Sequence, residues 1–294
     1  MAQVVCVHGV GQQLKGEDSL ARAWAAALRD GMRRARCAES WLPGAGEIRC
    51  VFYGDVFRSA GRRLALEDPW LTATDATEFD RELLAAWWRG AADSDPQVVD
   101  PDARSLERTP GGVQAALRAL SGSAFFAGLA DRVMLFDLQQ VRRYMTEPQV
   151  RRAALDRVTA VVGGDTRVLV GHSLGSVIAY EALCAHPEWP VRALVTLGSP
   201  LGIRNLIFDR LLPAPVPAAS GGVRGGWPSG IRSWVNVADA GDVVALVKDL
   251  RPLFGDRVTC YLVHNGSHAH DVRPYLTAAE TGAAIAAGLA ASAG

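Results

Sequence analysis

The stretch Gly171-His172-Ser173-Leu174-Gly175 constrains this chain more than any other. It is a G-x-S-x-G pentapeptide, and its flanks carry more weight than the string. A short β-branched apolar run, Thr166 to Val170, precedes it, and Ser176 to Leu183 follows with a helical composition. Strand, sharp turn and helix form the context in which a serine hydroxyl projects clear of the backbone as a nucleophile. Glycines two before and two after the serine let the strand and helix approach closely.

The pattern around this centre is alternating. Strands are expected at 3–7, 48–53, 191–197, 231–237 and 257–263, and helices at 20–36 and 148–162, with a closing helix at about 276–291. A helix within 243–254 is expected to stop at Pro252. Strands alternating with helices imply an α/β fold, a mainly parallel sheet covered on both faces. Residues 56–147 break the rhythm. Helices are expected at 78–90, 112–121 and 123–145, so this stretch reads as an α-helical insertion before the elbow, a candidate cap within a single domain of 1–294. It carries Trp70, and its Trp87, Trp88, Phe125 and Phe126 either line an acyl pocket or pack the insertion onto the sheet. The stretch 212–230, rich in Pro, Gly and Ala, reads as a loop.

A serine nucleophile needs a base within hydrogen-bond reach and an acid to orient that base. Downstream of Ser173 the chain offers one cluster of each, at the ends of expected strands. The acid lies in Asn236 to Val244, with Asp242 favoured by its D-x-V setting and Asp239 as the alternate. Either carboxylate could instead cap the following segment. The base lies in His264 to Asp271, with His270 nearest the last helix and His268 as the alternate. Three histidines and Asp271 within eight residues also admit a zinc site, but with no second ligand cluster no metal is expected. The second requirement is a pair of N–H donors for a developing oxyanion. Leu174, the residue after the serine, supplies one, and the loop His8-Gly9-Val10-Gly11 supplies the other through Val10, with Gly11 in reserve. His8 reads as a brace.

These residues resemble the α/β-hydrolase superfamily, in its lipase-like and esterase-like branches with G-H-S-L-G elbows and an H-G loop. The likeness covers residues 3–55 and 148–290. It implies a Ser-His-Asp triad of Ser173, His270 and Asp242, with backbone donors at Leu174 and Val10. It also implies an acyl-enzyme route of ester cleavage. A thioesterase, acyltransferase or macrocyclising enzyme would use the same groups, and a catalytically silent relative would serve as a binding module. Two departures stand out. The chain begins at the oxyanion-loop strand without a preceding hairpin, and the insertion falls before the nucleophile.

Composition narrows the remaining classes. Lys and Arg number 31 against 31 Asp and Glu, so no broad basic face for nucleic acid is expected. No G-x-x-x-x-G-K or G-x-G-x-x-G is present, and no cofactor is expected. Five scattered cysteines, no secretory leader and no run of about 20 apolar residues lead to a cytoplasmic expectation without a membrane-spanning segment. The expected partner is a small acyl ester.

Overall fold

The computed structural model describes residues 2–12, 15–57, 75–101, 110–121, 123, 131–218, 221–266 and 269–290. Trp70, Phe125, Phe126 and His268 lie outside the described residues, as do 124–130 of the helix expected at 123–145.

The protein has an α/β fold. Strand β1 (Val4–Val7) leads to helix α1 (Glu17–Arg34) and strand β2 (Ile48–Val51). Helices α2 (Glu78–Ser94), α3 (Pro110–Ser121), α4 (Asp131–Thr146) and α5 (Pro148–Thr159) follow. Then come β3 (Val168–His172), α6 (Leu174–Ala185) and β4 (Ala193–Leu197). A two-strand ribbon, β5 (Val216–Pro217) and β6 (Val223–Arg224), precedes β7 (Ser233–Asp239) and α7 (Arg251–Phe254). The last elements are β8 (Val258–Val263), α8 (Val272–Thr277) and α9 (Ala279–Ala290).

Six strands form one sheet in the order β2-β1-β3-β4-β7-β8, every neighbouring pair parallel. Both faces of such a sheet are covered, so its strands need continuous apolar sequence rather than alternation. All four residues of β1 and all five of β3 and β4 are buried accordingly. One face carries α1, α8 and α9, packed through Trp24, Leu28, Met32, Tyr275 and Ile285. The other carries α5, α6 and the helices between β2 and β3. Helix α6 is buried through nearly its whole length, which explains why it is apolar on every side.

Two features tie the helices between β2 and β3 to the rest. Thr77 caps α2 in a reciprocal box with Asp80, which also pairs with Arg142 of α4 at 3.2 Å. Glu181 of α6, buried, accepts hydrogen bonds from the Tyr144 hydroxyl of α4 (2.6 Å) and the Leu212 amide (2.9 Å). It also pairs with Arg151 of α5 at 3.3 Å.

Two expectations are corrected. No helix precedes Pro252 in 243–250; the helix begins at Arg251, with Pro252 in its first turn. A proline there lacks only an N–H that would have had no partner. The side chain of Asp242 holds the amides of Val244 and Ala245 at 2.9 and 3.2 Å, which captures donors that would otherwise serve a helical ladder. The closing helix is likewise two helices, broken at Ala278 in extended conformation. Among the described residues no helix is long and apolar enough to cross a membrane.

Candidate active site

The strand order reverses direction between β1 and β3: from β1 the chain moves outward to β2, then returns to the far side of β1. Loops leaving the carboxyl ends of strands on either side of such a switch diverge and leave a crevice. The β1 loop carries His8 to Gly11, and β3 ends at His172, so Ser173 stands at this crevice.

Ser173 has φ 53° and ψ −130°, a conformation costly for a residue with a side chain. It is held there by the packing of its neighbours. A Cβ on Gly175 would lie 2.2 Å from the Val7 carbonyl oxygen, and one on Gly171 would lie 2.5 Å from the Ser176 Cα. Only glycine permits both approaches, so the sequence spacing is a steric requirement of the turn. The Ser173 carbonyl accepts from Ser176 Oγ at 2.6 Å. Leu174 opens α6, so its N–H has no intrahelical acceptor. Across the crevice Gly9 packs on Ser173 directly, and Gly11 turns the loop at φ +75°.

His8 is the brace of that loop. It stacks on Tyr53 with ring centroids 4.1 Å apart, and its Nε2 accepts from the Tyr53 amide at 3.3 Å. Its Nδ1 then donates to the Gly9 carbonyl at 2.6 Å. Burial pushes its pKa down to about 4, so the ring is neutral at physiological pH.

Of the two downstream aspartates, Asp242 meets the histidine. His270 Nδ1 stands 2.8 Å from Asp242 Oδ2. The Tyr275 hydroxyl donates to the same oxygen at 2.7 Å, while Oδ1 takes the Val244 and Ala245 amides. Burial opposes the charge on Asp242, but the His270 charge and the bonds from His270 and Tyr275 outweigh it and hold the carboxyl below its ordinary value. Asp239 turns elsewhere, accepting from the amides of Gly241 and Asn265. Gly198, at φ +52°, makes the contact of Asp242 and His270 sterically possible: a Cβ there would sit 2.8 Å from Asp242 Oδ2 and 3.1 Å from His270 Nδ1.

Three residues here had no sequence signal that separated them from core. Tyr275 is the hydroxyl partner of Asp242. His172 Nε2 donates to the His270 carbonyl at 3.0 Å, and burial, then the nearby His270 charge, push its pKa down to about 3. Asp137, on α4, enters the cavity described next.

Ser173 and His270 line one cavity of about 50 Å³. Its other walls are Val10, Leu83, Trp87, Met134, Asp137, Val141, Pro200, Ile203, Ile207 and Val244. Trp87 therefore faces the cavity, whereas Trp88 is buried with its indole N–H donating to the Val99 carbonyl at 2.9 Å. The arrangement brings a hydroxyl and an imidazole oriented by a buried carboxylate to one mostly apolar recess.

No protein-family model matches this chain, and no curated protein matches it. The physical reading of the site therefore rests on its own geometry.

Proposed function

We propose that the protein is a serine hydrolase of the α/β-hydrolase type that cleaves a small acyl ester through a Ser173-His270-Asp242 triad. One observation carries the reading. A serine in a strained strand-to-helix turn shares a cavity with a histidine whose far nitrogen lies 2.8 Å from a buried aspartate.

In this mechanism His270 Nε2 takes the proton of Ser173 Oγ as the oxygen attacks the ester carbonyl carbon. The carbonyl π electrons move to the oxygen, and the N–H groups of Leu174 and Val10 stabilise it. The intermediate collapses, the C–O bond to the alcohol breaks, and His270 returns the proton to the leaving oxygen. Water then attacks the acyl-enzyme by the same sequence, with His270 as base and then acid. Asp242 keeps the Nδ1–H tautomer and stabilises the imidazolium. Tyr275 and the two amides keep the carboxylate ionised and aimed.

A thioester donor, or an acyl acceptor other than water, gives the second reading: a thioesterase in the first case, an acyltransferase or macrocyclising enzyme in the second. The mostly apolar cavity wall favours the latter case, because such a wall orders water poorly. Five cysteines without disulfides fit the cytoplasm.

The test is labelling with a fluorophosphonate, combined with a panel of short acyl esters and of amine and alcohol acceptors. Ser173 is expected to be the labelled residue, and Ser173→Ala is expected to lose both label and turnover. Wild-type protein that neither labels nor turns over any ester would overturn the reading and favour a binding module. Amide or ester products in the presence of an acceptor would select acyl transfer.

A further inference from the structure

The described walls of the candidate cavity are apolar apart from Ser173, His270, Asp137 and the indole of Trp87. The first two perform the chemistry just proposed. Asp137 does not take part in it. It comes from α4, within the helical insertion, and its two carboxyl oxygens lie against the β1 loop, each 3.4 Å from where a Cβ on Gly11 would be. Among the described residues its hydrogen-bond partner is Gln140, whose Nε2 donates at 3.4 Å, the long limit for such a bond. A carboxyl group removed from water is costly unless paired and hydrogen-bonded.

We infer that Asp137 is a specificity residue that receives a cationic ammonium group of the ester substrate, carried a few atoms from the scissile carbonyl. The inference rests on the ester-cleaving reading. Its chemistry is direct. An ammonium group brings a positive charge to a carboxyl whose hydrogen-bond partner among the described residues is the neutral amide of Gln140. Apart from the Trp87 indole N–H, the remaining described walls are non-polar and suit the aliphatic stem that joins ammonium to ester. The cavity is small, so the charge must lie close to the reacting carbon.

The ionisation of Asp137 agrees with this. Burial pushes the Asp137 carboxyl up to about 7, with the His270 charge across the cavity opposing the rise. His270 is the titratable side chain facing it among the described walls; those from the β1 loop, α2, the turn after β4 and the loop after β7 do not ionise. A bound cation would restore the carboxylate.

The experiment compares isosteric ester pairs that differ only in charge. Acetylcholine against neohexyl acetate places a permanent charge in the alcohol. The para-nitrophenyl esters of γ-trimethylammonio-butyrate and of its neutral carbon isostere place it in the acyl group. In the wild type, kcat/KM is expected to favour the cationic member of at least one pair by about ten-fold or more, as for a charge-assisted contact. In Asp137→Asn that ratio is expected to fall towards one. A wild-type measurement gives the same information should the variant fail to fold. The ratio of kcat/KM within a pair cancels His270, which serves both esters, and is expected to rise with pH through about 7 as Asp137 ionises.

A ratio near one, a preference for the neutral ester, a ratio that survives Asp137→Asn or a pH-independent ratio would overturn the inference. In each case cleavage of the neutral ester and labelling of Ser173 would leave the serine hydrolase reading standing. Absence of both cleavage and labelling would overturn the two together.

Discussion

The imidazole of His172 donates from Nε2 to the backbone carbonyl of His270 at 3.0 Å. The residue that immediately precedes the candidate nucleophile thus holds the main chain of the candidate base, across 98 positions of sequence. The ring is neutral because burial and the His270 charge hold its pKa near 3, so the contact persists unchanged across the working pH range. His172→Phe keeps a ring of similar size and deletes the donor. Misplacement of a catalytic group by about 1 Å costs on the order of 10²-fold. The variant is therefore expected to lose about that factor in kcat with little change in KM, measured by steady-state ester kinetics. Wild-type kcat would remove His172 from the positioning of His270.

The acid is more demanding. Asp242→Asn keeps an oxygen for the Val244 and Ala245 amides but loses the charge that sets the histidine tautomer. A fall in kcat of about 10⁴-fold is expected, with fluorophosphonate labelling slowed in proportion. Tyr275→Phe removes both the hydrogen bond that the hydroxyl donates to Asp242 Oδ2 and the one it accepts from the Asp239 amide, and is expected to destabilise the fold by about 1–3 kcal/mol. The pH dependence has a defined sign. The Asp242 pKa is lowered in the folded protein, so its contribution to stability is present above the ordinary aspartate value of about 3.9 and is lost as pH falls below it. The gap between Tyr275→Phe and wild type in urea unfolding should therefore be largest near neutrality and shrink in acid to what the lost Asp239 amide bond contributes.

Asp137 behaves in the opposite direction. Its folded pKa of about 7 lies above its unfolded value, so the stability associated with its neutral form is present at low pH and lost as pH rises through about 7. Asp137→Asn should match wild type near pH ~4 and be more stable by up to about 4 kcal/mol above neutrality. Thermal or urea unfolding at several pH values checks this. No gain at alkaline pH would mean that the carboxyl is not held in an apolar setting.

Glu181 joins α6 to α4, to α5 and to the Leu212 amide through buried contacts. Removing one partner of a buried pair leaves the other unsatisfied, at a cost of about 3–5 kcal/mol. Glu181→Ala is expected to lower unfolding free energy by about that amount in urea titration. A loss below about 1 kcal/mol would mean that these helices are anchored mainly by apolar packing.

Much of the site was legible because its residue types fall in short patterns. The elbow glycines, the loop His8 to Gly11 and the apolar strands show in the sequence even though Gly175 clears the Val7 carbonyl and Gly9 clears Ser173 from across the fold. The choice of Asp242 over Asp239 was less legible. Both follow the same strand, and only the fold of the turn sends one to His270 and the other to the amides of Gly241 and Asn265. The helix expected before Pro252 was misread for a related reason: its apolar residues, Val243 to Leu246, are core packing in an irregular segment whose donors Asp242 captures.

The sequence by itself determined an α/β alternation and the position of the strained serine. Each follows from backbone sterics and burial along short stretches of chain. The tertiary structure alone decided which side chains converge there. Tyr275 on Asp242, His172 on His270 and Asp137 beside Gly11 join segments far apart in the chain. Such contacts depend on how helices pack over the topological switch of the sheet, where energy is set by distance through space and not by separation along the sequence.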